Sequence, residues 1–163
     1  MVSKNTRRLV YGSLTAALIA LLTAYVKLPV PITNGYIHLG DGAIFLSAIL
    51  LGPYAGIAAA VGSALADALF GYYIYIIPTF IIKGLMGLLA GLFAGSSPKI
   101  TARNIAVYVG CELLMTAGYF LFETFFYGIG AAAGAIGPNL IQGAAGVITG
   151  CVLVQAARKI PAA

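Results

Sequence analysis

Charge is what this chain has least of. Among 163 residues there are four acidic side chains, nine Lys and Arg and one His, so 8% of the residues are charged while 61% are hydrophobic. A soluble domain of this size does not keep so little charge on its surface. Cysteine is nearly as scarce. Cys111 and Cys151 both fall inside apolar runs with no metal-ligand spacing around them, which leaves no metal site to expect and predicts two buried, reduced thiols. No G-x-x-x-x-G-K-[ST] run occurs, so the chain does not hydrolyse ATP through a P-loop. No serine or cysteine stands near a base in a usable motif, which disfavours an enzyme. The net charge of +5 does not make a nucleic-acid binder either. The basic residues fall between hydrophobic runs, and no helix acquires a basic face.

What fills the sequence instead is apolar runs of helix length, 21 glycines and a mean hydropathy of +1.02. These predict an all-α integral membrane protein, one domain over residues 1–163, with six transmembrane helices near 9–28, 42–51, 54–70, 74–94, 104–126 and 138–157. The second is short for a span and is expected to tilt or to begin below the surface. The first has a basic start and no small-residue cleavage site, so it reads as a retained helix. Lys4, Arg7, Arg8, Lys99, Arg103, Arg158 and Lys159 all fall on the side of the termini, which the positive-inside rule makes cytoplasmic. The longer loops, near 29–40, 71–73 and 128–137, are then external, the last of them flexible or partly re-entrant.

The fourth run, IYIIPTFIIKGLMGLLAGLFAG, places Lys83 roughly 13 Å from either end of a span of about 30 Å. A charge at that depth costs at least about 2.5 kcal/mol and persists only beside a partner or a cavity. Tyr75 and Thr79 share its helix face, and Gly84, Gly87, Gly91 and Gly95 make a smooth packing face below it. In the first helix Gly12, Ala16, Ala20 and Ala24 recur every four residues, as internal packing or as a surface for a partner subunit.

The four acids gather with these groups. Asp41, Asp67 and Glu123 are expected toward the outer ends of their helices, and Glu112 at nearly the depth of Lys83. A Lys83–Glu112 pair is possible, either fixing helix register or touching a ligand. Asp41 could cap the helix it opens, and His38 reads as a solvated loop histidine. With Tyr75, Thr79, Tyr119, Asn139 and Gln142, the acids and Lys83 predict an outward-facing polar and aromatic lining suited to a small heteroaromatic ligand.

The run HLGDGAIFLSAILLGPYAGIAAAVGSALADALFGYYIYIIPTFIIKGLMGLLAG resembles the substrate-binding S components of energy-coupling factor (ECF) vitamin transporters. The likeness is to the group containing riboflavin, pyridoxine and hydroxymethylpyrimidine carriers. Gly40-Asp41, Gly52-Pro53, Ala66-Asp67, Pro78, Ile82-Lys83-Gly84, and Asn139 with Gln142 carry it. The resemblance implies six helices and a vitamin site near the external face, in a multi-pass protein of a prokaryotic cell membrane. It also implies partners, one transmembrane coupling protein and two ATPases that use ATP, with no cofactor in this chain. The stripe Gly12, Ala16, Ala20, Ala24 is similar to the surface on which such subunits dock. Tryptophan, common in some pockets of the family, is absent here. The competing reading is a self-sufficient ion-coupled carrier of a small polar solute, with Lys83, Glu112 and Glu123 as its ion path. An inverted repeat would favour it, and none is visible between the halves.

Overall fold

A computed structural model describes residues 3–94 and 99–157. Gly95, the turn residues Ser96 to Pro98 and the basic Arg158 and Lys159 lie outside the described residues. Among those described, the chain forms α1 (Lys4–Tyr25), a hairpin of β1 (Lys27–Val30) and β2 (Gly35–His38), then α2 (Gly40–Leu51), α3 (Ala55–Leu69), α4 (Ile76–Phe93), α5 (Ala102–Tyr127) and α6 (Ile129–Ala156). Local chemistry sets the boundaries. Ser3 Oγ accepts the Thr6 N–H at 3.1 Å and starts α1. Thr101 and Asn104 form a capping box at the head of α5. Gly52, at φ 58°, ends α2, and Pro53 follows in the tight turn before α3.

Side-chain contacts identify the two ends of the bundle. At one end the Arg8 guanidinium lies 4.4 Å over the Tyr54 ring, and Arg103 Nε donates to the Phe93 carbonyl at 2.7 Å. This end collects the start of α1, the α2–α3 turn and the α4–α5 turn. At the other end the hairpin meets the last turn of α3, where Tyr36 Oη donates to Asp67 at 2.6 Å. The helices pack through small residues, as expected in lipid. A Cβ on Gly87 would stand 2.6 Å from the Ala55 carbonyl oxygen, and one on Gly91 would overlap the Gly52 carbonyl. The predicted smooth face of α4 therefore seats α3. Ala20 and Ala24 of α1 are buried within the chain, whereas Gly12 and Ala16 line an open groove beside α3. Cys111 is buried and Cys151 half-buried, and both are free thiols.

Among the described residues, five stretches are long and apolar enough to cross a membrane: Lys4–Tyr25, Gly40–Leu69, Tyr73–Phe93, Ala102–Tyr127 and Ile129–Ala156. The second holds both α2 and α3. With 12 residues, α2 is about 18 Å long, short of a hydrocarbon core of about 30 Å. All its residues are buried, so it is the core of the bundle. Around it, Leu14, Leu21, Leu65, Ile81, Leu121 and Ile148 stand exposed on the other helices. An apolar exterior around a helical core is that of a multi-pass membrane protein.

Three expectations need correction. Residues 128–137 are no loop. Gly128, at φ 84°, makes the break after α5, and α6 begins at Ile129 with Pro138 inside it. Four alanines in this stretch favour helix, and Pro138 removes only the hydrogen bond it would have given to the Gly134 carbonyl. The stretch expected as a loop at 29–40 instead forms most of a β-hairpin, whose register pairs Lys27 with His38 and Val30 with Gly35. The fold is thus helical with one two-stranded ribbon. Finally, α1 starts earlier than residue 9 because Ser3 caps it, and ends earlier than residue 28 because β1 begins at Lys27.

Candidate functional site

Lys83 finds its partner in α2. Its Nζ stands 2.6 Å from Asp41 Oδ1, and neither side chain is exposed. Asp41 Oδ2 accepts from Gln142 Nε2 at 2.6 Å, and Gln142 Oε1 accepts the backbone N–H of His38 at 3.0 Å. His38 Nδ1 in turn accepts the Gly40 N–H at 3.0 Å. Burial pushes this imidazole down to about 4, so it stays neutral and free to accept. One continuous network therefore ties α4, α2, α6 and β2 together.

This network corrects three expectations. Asp41 does not cap its helix, since the cap position is Leu39 and no side chain bonds there. His38 is buried, not solvated. Lys83 does not pair with Glu112. Although α4 and α5 bring those two to similar depth, α2 packs on α4 and presents Asp41 to the ammonium first. Glu112 is turned instead toward Gly143 and Gly146 of α6, and neither carboxylate oxygen has a hydrogen-bond partner.

Beside the network, the hairpin roofs a small, partly open cavity over α3, α4, α5 and α6. Its lining is Val30, Thr33, Gly35, Tyr36 and His38 from the hairpin, with Asp67, Tyr75, Thr79, Tyr119, Glu123, Ala135, Asn139 and Gln142 from the helices. Tyr75 Oη lies 2.8 Å from the Thr33 carbonyl oxygen and 3.1 Å from Glu123 Oε1. The Thr79 and Tyr119 hydroxyls are 3.0 Å apart. Burial, reinforced by Asp67, raises the Tyr36 phenol far above its ordinary value, so it remains a donor. The cavity holds about 30 Å³, room for about two waters at ~10–15 Å³ each and for no aromatic ring. Admitting a ring requires the lining to open further.

Seven of the ten expected ligand residues line this cavity: Asp67, Tyr75, Thr79, Tyr119, Glu123, Asn139 and Gln142. Asp41 and Lys83 lie behind it, reaching it through Gln142, and Glu112 faces away. Sequence reasoning missed the hairpin's contribution. The signal was present in Asn34-Gly35, a turn dipeptide between two short runs, with Asn34 at φ 52°.

Residues 3–159 match the family model for the ECF-type riboflavin transporter, S component. The chain belongs to that family. Two relatives agree with the assignment. The S component is 33% identical over 133 residues to an uncharacterised protein encoded in the gap 3′ region of Pyrococcus woesei, covering 81% of this chain and 88% of that one. It is 30% identical over 157 residues to the thiamine precursor transporter HmpT of Lactococcus lactis subsp. cremoris, covering 95% of this chain and 87% of the relative. The S component is accordingly a transport subunit and not an enzyme, one that binds a vitamin or vitamin precursor and works with an ECF module.

Proposed function

We propose that this S component captures a small B-type vitamin or precursor, of the pyridoxine, hydroxymethylpyrimidine or riboflavin class, at the outer face of a prokaryotic cell membrane. Uptake is driven by ATP in two partner ATPases, coupled through one transmembrane protein. The chain crosses the membrane six times with both termini inside, so that the hairpin end faces out. The observation that carries this reading is the roofed cavity, where seven polar and aromatic helix groups converge with the hairpin in a chain of this family. The thiamine precursor carried by the HmpT relative supports a small ring over a large one.

The open groove of about 420 Å³ between α1 and α3, lined by Gly12, Ala16, Leu51, Tyr54, Ile57 and Val61 among others, is the proposed seat of the coupling protein. Only the half of the stripe near Gly12 and Ala16 is available for it, since Ala20 and Ala24 are buried. Mass spectrometry of small molecules released from the purified chain tests the ligand class, and uptake with and without the ATPases tests the energy source. Robust uptake by this chain alone, driven by a proton or sodium gradient, overturns the proposal.

A further inference from the structure

Glu112 is the acid that the candidate site leaves unused. Its side chain is 4% exposed, near the middle of α5, and neither of its oxygens has a hydrogen-bond partner. It does not line the cavity under the hairpin. Helix α6 covers it through glycine. A Cβ on Gly143 would stand 2.9 Å from Glu112 Cβ, and one on Gly146 would overlap Glu112 Oε1. That second Cβ would also stand 2.9 Å from Asp41 Cβ, so two acids meet at one point of α6. On its lipid side Glu112 is flanked by an apolar groove between α5 and α6, with Val109, Leu113, Leu140 and Val147 in its walls.

The charges at this depth do not balance. Asp41 from α2 and Lys83 from α4 are the charged groups that act on Glu112, and they already form a 2.6 Å pair with each other. Cys111, its neighbour on α5, donates its thiol to the Met86 carbonyl, and His38 of β2 is neutral. The other Lys and Arg among the described residues lie toward the two ends of the bundle. Nor do the described residues hold a group of three His, Cys, Asp or Glu that could coordinate a metal ion. A carboxylate at this place would therefore be a lone charge in the hydrocarbon, without a donor and without a counter-ion. A proton removes that charge and needs no room of its own.

We infer that Glu112 is a proton-binding site: it keeps one proton in the folded chain at neutral pH and lies under α6 as a neutral acid. The proton leaves Lys83 to Asp41 alone and lets α6 close on α5. The same part of α6 carries Asn139 and Gln142 into the cavity, so the proton fixes one wall of the ligand site without touching the ligand.

The chain has only two glutamates, Glu112 and Glu123, so carbon-13 at the glutamate Cδ gives two carboxyl signals in an NMR spectrum of the full chain in detergent. Glu123→Gln or Glu112→Gln, whichever folds, assigns them. An ordinary glutamate is ionised by about 500 to 1 at pH 7. The Glu112 signal is expected instead to keep the shift of a neutral acid from about pH 6 to about pH 8. Stability gives a second readout. The unfolded chain gives the proton up and the folded chain keeps it, so stability is lost as pH rises. Over the same window the unfolding constant of the wild type should rise about tenfold per pH unit relative to that of Glu112→Gln, which has no such proton to lose. His38 and the two thiols titrate alike in both proteins and cancel. A carboxylate shift for Glu112 at pH 7, or unfolding constants that run parallel in the two proteins, overturns the inference. If Glu112→Gln does not fold, the NMR signal alone decides. Neither result bears on the transport reading, which stands or falls on the ligand and uptake measurements above.

Discussion

Removing the Lys83 ammonium should unsettle this protein more than removing any acid except its partner. Lys83→Met keeps the length of the side chain and leaves Asp41 buried at 0% exposure, with Gln142 as its remaining donor. Breaking one side of a buried ion pair costs about 3–5 kcal/mol, because the survivor is an uncompensated charge. Replacing both sides removes that penalty. Lys83→Met combined with Asp41→Asn keeps an acceptor for Gln142 and should return to within about 1 kcal/mol of the wild type, a coupling of at least about 2 kcal/mol. Lys83→Met combined with Glu112→Gln should recover far less than the Asp41 double variant, since Glu112 makes no hydrogen bond to the lysine and only the second carboxyl beside Asp41 is removed. Equilibrium unfolding in mixed detergent micelles, followed by helicity, reads all four proteins. Rescue by Glu112→Gln as large as that by Asp41→Asn, or a loss below about 1 kcal/mol in Lys83→Met, would refute the pairing.

Gly91→Ala should cost about 1–3 kcal/mol, because its Cβ meets the Gly52 carbonyl, while Gly110→Ala, with nothing within 4 Å, should stay within about 0.5 kcal/mol. Thermal melts separate the two. His38 is held neutral with its value lowered to about 4, so its contribution is complete above the unfolded value of about 6.5. As pH falls from there toward 4 the unfolded state takes up the proton first, and stability drops by about 1.4 kcal/mol per pH unit. His38→Asn should flatten that part of the melting-temperature profile relative to the wild type; parallel profiles would show that the imidazole is not buried neutral. A cysteine at Asn34 should react with an impermeant maleimide on intact cells and one at Lys4 should not, and the opposite labelling would invert the proposed orientation.

The helices that touch lipid were legible because their apolar runs match the thickness of a bilayer, and the α3–α4 seam because glycines at three- and four-residue spacing leave one smooth face. Most of the cavity was legible too. Tyr75 and Thr79 share a helix face, and Tyr119 and Glu123 lie one turn apart on another, so their convergence needed only antiparallel neighbours. Hidden from that reasoning was anything set by a third element. Lys83 had a plausible partner in Glu112 on the next helix, but the ammonium goes to Asp41 from a helix whose position no periodicity reveals. The alanine-rich stretch before Pro138 reads as loop because proline usually opens a helix; in the structure Pro138 sits inside one. The hairpin was obscured by its prolines, which a two-stranded ribbon tolerates because half its hydrogen-bonding groups have no strand to face.

The complete burial of α2 bears on how the protein is made. Helices enter the bilayer in order as they leave the ribosome, and α2 is among the first. Its carboxylate waits for a lysine 42 residues downstream and an amide 101 residues downstream. Until α6 arrives, a nascent chain carries an acid at Asp41 with half its partners missing, in a helix too short to settle across the hydrocarbon by itself. A product truncated before α6 therefore keeps an exposed polar core that membrane quality control can recognise. With α6 in place, Gln142 bonds to both Asp41 and the hairpin and that core is covered.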